Sequence, residues 1–127
     1  MTIGPDAIVI EALRIMAEKN IGSIIVMEGD RYRGLLTERD YARKVILHGK
    51  SSSELSVGDI MSEYLPHVTP QHSLEDCMEI MSNHNIRYLP VFENEEFYGV
   101  LSVIDVVKET MLMQKDTIEH LQQYINS

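Results

Sequence analysis

Apolar residues follow two different spacings along this chain, and the spacings alternate in the same order twice. Val9, Ala12, Leu13 and Met16 lie at i, i+3, i+4 and i+7, which gathers them on one face of a helix, and Pro5 ahead of them suits a helical first turn. Two short apolar runs follow, Ile24 to Met27 and Arg33 to Leu36, separated by the glycine-containing stretch Glu28 to Asp30. Short runs on either side of a turn predict a β-hairpin. A second helix is predicted from about Glu38 to His48, with Gly49 placed to stop it. The first copy therefore reads helix, strand, strand, helix.

Gly34 and Gly99 set an offset of 65 residues at which the chain repeats without a gap. Pro5 falls on Pro70, Ile15 on Ile80, Met16 on Met81, Asn20 on Asn85, Ile21 on Ile86, Val26 on Val91, Leu36 on Leu101 and Asp40 on Asp105. Leu74, Cys77, Met78 and Met81 restate the helical face, so Cys77 takes the small inward slot of Ala12, and core packing rather than thiol chemistry is its expected role. The second hairpin runs from Leu89 to Phe92, turns through Glu93 to Glu96 and returns from Tyr98 to Leu101, with Pro90 implying an early or edge position in its strand. Two copies at this period predict a duplicated supersecondary unit rather than a solenoid array.

Between the copies Lys50 to Glu54 reads as a polar linker, and Leu55 to Met61 as a short helical lead into the second copy before the extended stretch around Val68 and Thr69. From Val103 to Ser127 there is neither proline nor glycine, and Val107, Met111, Ile118, Leu121 and Ile125 mark a loose apolar stripe. This predicts a helical extension that packs on its own domain or, the favoured reading, on a second copy in a homodimer. The expected organisation is an α/β (α+β) fold with a first repeat over 1–50, a linker and lead-in helix over 51–65, a second repeat over 66–112 and a C-terminal extension over 113–127.

Composition narrows the function classes. Of 127 residues 44% are hydrophobic, as in a soluble globular domain, and 20 acidic residues against 11 lysines and arginines give a formal charge of −9. Such a chain is poorly suited to nonspecific contact with nucleic acid or anionic lipid, so any bound phosphate must be met by local donors. The single Cys77 leaves no intramolecular disulfide, and the first residues lack the basic start and continuous apolar run of a secretory signal. An intracellular, cytoplasmic setting is expected. No apolar run approaches the roughly 20 residues of a spanning helix.

The candidate chemistry lies where the second strand of each copy meets the next helix, in Gly34 to Asp40 (GLLTERD) and Gly99 to Asp105 (GVLSVID). Thr37 with Asp40, and Ser102 with Asp105, fit a helix capping box, although glutamate or glutamine is the usual fourth residue. The recurrence of aspartate after a glycine-led strand favours a binding role. The carboxylate can accept both hydroxyls of a ribose, each charge-assisted bond contributing about 1.5–3 kcal/mol, while the hydroxyl residue and free amides at the helix start contact phosphate. Arg39 and Arg43 make the first junction the more cationic and the expected phosphate-rich one, their counterparts being Ile104 and Lys108; as plain surface residues they would pair with Glu38 or Asp40. Arg87 and Tyr88 replace Gly22 and Ser23 and place a cation and an aromatic in the second copy. Two nucleotide-sized clefts of unequal affinity are expected, with apolar walls that include Ile21 and Ile86.

These residues resemble the CBS (cystathionine beta-synthase) domain pair, or Bateman module, over about residues 1 to 112. The resemblance is carried by the A-L-x-I-M and C-M-x-I-M helices, the I-G-S-I-I-V and I-R-Y-L-P-V strands and the repeated G-h-h-T/S-x-x-D junction; TERDYARKVILHGKSS and the tail IEHLQQYI are similar to small stand-alone members. It implies two repeats whose small sheets pack about a pseudo-twofold axis, a disc-like dimer, and a regulatory rather than enzymatic role. It also implies an adenosine ligand such as AMP, ADP, ATP, NAD or S-adenosylmethionine, with AMP or NAD ranked slightly ahead of ATP, ribose on Asp40 and Asp105, and the hydroxyl role on Thr37 and Ser102. A further hydroxyl in the approach to a cleft is matched by Thr69 but not by Gly4. The regulated partner is not named by the sequence.

Two rival functions compete with this expectation. An enzyme could draw on the plentiful histidines and carboxylates or on Cys77 as a nucleophile, but His48, His67, His72, His84 and His120 show no HExxH or other close ligand pattern and Cys77 is expected to face the core. An interaction or dimerisation protein with vestigial clefts is the stronger alternative. The regulatory mechanism expected of the favoured reading is a population shift, in which a nucleotide changes the angle between the repeats and the dimer passes this to a partner.

Overall fold

The computed structural model describes residues 1–113, so the predicted extension lies, beyond Met113, outside the described residues together with Ile118, Leu121 and Ile125. The chain divides into two compact units, Met1–Leu65 and Pro66–Ser127. Both are mixed α/β, with small sheets covered by helices.

In the first unit, β1 (Thr2–Ile3), α1 (Val9–Lys19), β2 (Ser23–Glu28) and β3 (Arg31–Thr37) are followed by a single turn of α-helix, α2 (Glu38–Tyr41). The sheet order is β1-β2-β3, with β1 parallel and β3 antiparallel to β2. Val9, Ala12 and Met16 of α1 pack on Ile24, Val26 and Leu36, as the helical and strand spacings predict. The helix expected from Glu38 to His48 is not uniform. After Tyr41 it widens to a π-helical turn over Ala42–Ile46, where Leu47 N–H reaches back to Ala42 O at 3.2 Å and Lys50 N–H to Val45 O at 3.0 Å. Wide turns of this kind are frequent near functional positions. Gly49 follows at φ +66° and ends it, as its place in the sequence suggests.

The stretch read as a lead into the second copy instead completes the first core. Val57, Ile60 and Met61, on and just after α3 (Val57–Ile60), are buried against Val9, Met16 and Val45, with Leu55 packed beside them. Burial of three such side chains contributes on the order of 5 kcal/mol. Backbone bonds fix the register: Val9 N–H to Leu55 O (2.9 Å), Val57 N–H to Ala7 O (2.8 Å) and Gly58 N–H to Pro5 O (2.8 Å). Ser62 then pairs with Leu35 in both directions, at 2.8 and 3.1 Å, and covers the outer edge of β3.

The second unit contains α4 (Leu74–His84), β4 (Tyr88–Glu93), β5 (Glu96–Ser102) and α5, helical over 103–113. Its hairpin repeats the first with the same offset at every pair. Ser23↔Thr37 becomes Tyr88↔Ser102, Val26↔Gly34 becomes Val91↔Gly99, and the bulge between Val26 and Met27 returns between Val91 and Phe92. Asn20 and Asn85 close α1 and α4 in the left-handed conformation, at φ 53° and 51°. Cys77 is buried beside Met81, Leu89 and Val106, in the core role expected of it; burial first, and then the Asp76 carboxylate, push its thiol pKa up.

One difference between the sheets follows from a single proline. Ile25 donates its N–H to Met1 O at 3.3 Å and helps hold β1, whereas its counterpart Pro90 has no N–H to give. The strand on that side shrinks to one bridge, Val68↔Val91.

Candidate functional site

Both junctions close as capping boxes, and this is the cause of their geometry. In the first, Asp40 N–H donates to Thr37 Oγ1 at 3.1 Å, while Thr37 N–H and Oγ1–H both donate to Asp40 Oδ2 at 3.0 Å. In the second, Asp105 N–H donates to Ser102 Oγ at 3.2 Å, and Ser102 N–H and Oγ–H donate to Asp105 Oδ2 at 3.2 and 2.8 Å. The cap engages one oxygen of each carboxylate. The other oxygen decides what the junction can bind.

Here the copies part. Asp40 is buried, and its Oδ1 accepts a 2.7 Å bond from the Ser62 hydroxyl and lies 3.3 Å from the Lys44 ammonium, which also donates to Ile60 O at 3.0 Å. Asp105 is exposed, and among the described residues its Oδ1 has no such partner. The residue matching Lys44 is Glu109, which adds negative charge to that side of α5 rather than removing it.

The backbone seats further predicted residues beside the junctions. Val103 N–H donates to Arg87 O at 2.8 Å, as Glu38 N–H donates to Gly22 O at 3.2 Å in the first copy. Arg87, exposed, therefore rises next to the start of α5, and Tyr88 is the strand partner of Ser102. Ile21 and Ile86 follow the left-handed asparagines, receive their turns through N–H bonds to Met16 O and Met81 O at 3.0 Å, and lie half-buried against their cores one residue before Gly22 and Arg87. Arg39 is half-buried on α2 and Arg43 is exposed in the π-helical turn.

Thr69 stands apart from the second junction. It follows Val68, the partner of Val91, and so lies near the far end of β4 from Tyr88, on the order of 13 Å along the strand. Its N–H and hydroxyl are engaged by His72 Nδ1 at 3.0 and 3.1 Å. Sequence reasoning missed Ser62 and Lys44. Lys44 was visible as the i+4 neighbour of Asp40, whereas Ser62 falls outside the first repeat and has no local signal pointing to Asp40. Among the described residues no three of His, Cys, Asp and Glu gather as a metal site, and no helix is long and apolar enough to cross a membrane.

Comparison with known proteins places this geometry in a family. The CBS domain model matches residues 1–47 and again 57–111, and the chain belongs to the CBS domain family as a tandem pair. Over 125 residues it is 35% identical to the mitochondrial CBS domain-containing protein CBSX3 of Arabidopsis thaliana, covering 94% of this chain and 61% of that protein. The chain thus spans about three-fifths of that relative's length. A solved CBS-domain structure from Burkholderia ambifaria MC40-6 superposes with a TM-score of 0.83 at 40% identity, covering 87% of this chain and 82% of that one. A CBS-CP12 protein from bloom-forming cyanobacteria superposes at 0.74 with 30% identity, over 84% and 60% of the two chains. Paired CBS domains are in general regulatory, nucleotide-binding modules rather than catalysts.

Proposed function

We propose that this chain is a regulatory module that binds an adenosine nucleotide of the AMP, NAD or ATP class inside the cell and passes the binding event through a homodimer to a partner protein. The observation that carries this reading is the second junction. Asp105 is exposed, and among the described residues one of its carboxylate oxygens has no partner while the other fixes the helix start, which suits a pair of ribose hydroxyls. Arg87, just ahead of β4 with its carbonyl bonded by Val103 N–H, supplies a cation for phosphate, and Tyr88 and Ile86 offer an aromatic and an apolar surface for a base. Thr37, Asp40, Arg39 and Arg43 supply the corresponding groups in the first copy, and Thr69 a further hydroxyl for a cleft. A role as an interaction protein with vestigial clefts is favoured at one point, Asp40, whose oxygens are already satisfied.

Self-association is supported by the exposed side chains of Ile104, Val107 and Met111, spaced at i, i+3 and i+7 on α5, and by the hexameric state of the cyanobacterial relative. A nucleotide then acts by preferring one arrangement of the assembly over another. Calorimetric titration of AMP, NAD, ATP and S-adenosylmethionine into wild type, Asp40→Ala and Asp105→Ala tests the reading. Saturable heat that at least one aspartate variant loses is expected, and no heat from any ligand at millimolar concentration would refute it.

A further inference from the structure

Asp40 and Asp105 occupy equivalent places in the repeat, yet among the described residues only Asp40 has its second carboxylate oxygen taken. We infer that the first cleft holds an occupant supplied by its own chain: the Ser62 hydroxyl takes the Asp40 oxygen a ribose hydroxyl would use, so nucleotide enters at Asp105 and reaches Asp40 only by releasing residues 55–62. This rests on reading the junction aspartates as ribose acceptors, and it makes the first cleft a conditional site coupled to the segment between the repeats.

Three sets of contacts carry the inference. Ser62 donates its hydroxyl to Asp40 Oδ1 at 2.7 Å, the shortest of the bonds this carboxylate receives. Lys44 binds the same oxygen at 3.3 Å and ties it to Ile60 O at 3.0 Å. The backbone of Ser62 is itself fixed by its two bonds to Leu35. A ribose hydroxyl arriving at Asp40 exchanges one hydroxyl–carboxylate bond for another and gains little from the trade. At Asp105 the same bond replaces only water. The order of entry is thus the reverse of the one that Arg39 and Arg43 suggest from charge alone. Ser62, Lys44 and Ile60 belong to the same compact unit as Asp40, so displacing Ser62 frees the chain immediately ahead of the second repeat.

Hydrogen exchange and calorimetry with AMP as the probe, on the full chain, separate the parts of this inference. Without AMP, Ser62→Ala and Asp40→Asn are each expected to speed exchange of the Met61 and Ser62 amides at least tenfold, with no further gain in the double variant. Unchanged exchange in Ser62→Ala would overturn the internal occupant. With AMP, wild type is expected to bind one equivalent, Asp105→Asn to weaken it at least tenfold, and Ser62→Ala to bind a second equivalent. Loss of binding in Asp40→Asn but not in Asp105→Asn would overturn the order of entry. AMP, NAD and ATP all failing to bind both wild type and Ser62→Ala would refute the nucleotide reading itself, while raised exchange in Ser62→Ala would still support Ser62 as the occupant of Asp40.

Discussion

A methyl group placed on Gly34 would stand 2.6 Å from the Ser62 carbonyl oxygen, whereas one on Gly99 would meet nothing within 4 Å. The two glycines are equivalent in sequence and their strands pair in the same register, so only the passing segment distinguishes them. Gly34→Ala is therefore expected to lower stability by about 1–3 kcal/mol, and Gly99→Ala to stay within about 0.5 kcal/mol of wild type, in paired urea melts. At this scale the sequence was readable where neighbours are local. The capping hydroxyls and aspartates, and the inward Cys77, stand as the pattern predicts. Ser62 was not readable, because its partner Asp40 is 22 residues away and comes near only through the fold. The capping carboxylate Asp76 offers a further test. The Ser73 backbone bond, followed by its hydroxyl, holds the Asp76 pKa below the usual carboxylate value. Its contribution is therefore present in full above the unfolded-state pKa and fades as pH falls through the lower folded-state value. Thermal melts from pH 6 to pH 2 should show Asp76→Asn losing less stability on acidification than wild type does.

Hairpins and helix ends show the same duplication at the level of whole elements, with one local conflict. In the second hairpin both turn residues, Asn94 and Glu95, have positive φ, at 51° and 68°. Such a turn favours Asn-Gly, and a glutamate in the left-handed region is strained by its Cβ. Glu95→Gly is expected to raise stability by about 0.5–1 kcal/mol after the entropy cost of glycine in the unfolded chain, measured as a higher urea midpoint at an unchanged slope. The strands and the first helix of each copy were legible because their apolar spacing matches their period over several residues. Two features were not. The π-helical turn at Ala42–Ile46 leaves no mark in the apolar spacing, and β1, with only two residues, is defined by its bonds to β2 rather than by any pattern of its own. The stretch from Leu55 to Met61 shows apolar residues plainly, but a pattern does not state which core it enters.

For the molecule as a whole, α5 presents Ile104, Val107 and Met111 to solvent in a chain with a formal charge of −9. An apolar stripe on an acidic chain suits association through that stripe. Val107→Glu with Met111→Glu is expected to shift the protein to monomer in sedimentation velocity while leaving its thermal midpoint nearly unchanged; a wild type that is already monomeric at high micromolar concentration would exclude the stripe as an interface. The repeat made the two-unit organisation visible in sequence, since every hairpin pair recurs at one offset, but the inequality of the two junctions depends on where the intervening chain settles. That settling has a consequence for solubility. Ser62 covers the edge of β3, while among the described residues the matching edge of β5 has no strand beside it. An uncovered edge invites strand addition from another molecule. Glu93, Glu95 and Glu96 cluster at the tip of that hairpin and act as gatekeepers through like-charge repulsion. Replacing these three glutamates with glutamine removes the guard and makes the second hairpin the place where aggregation begins.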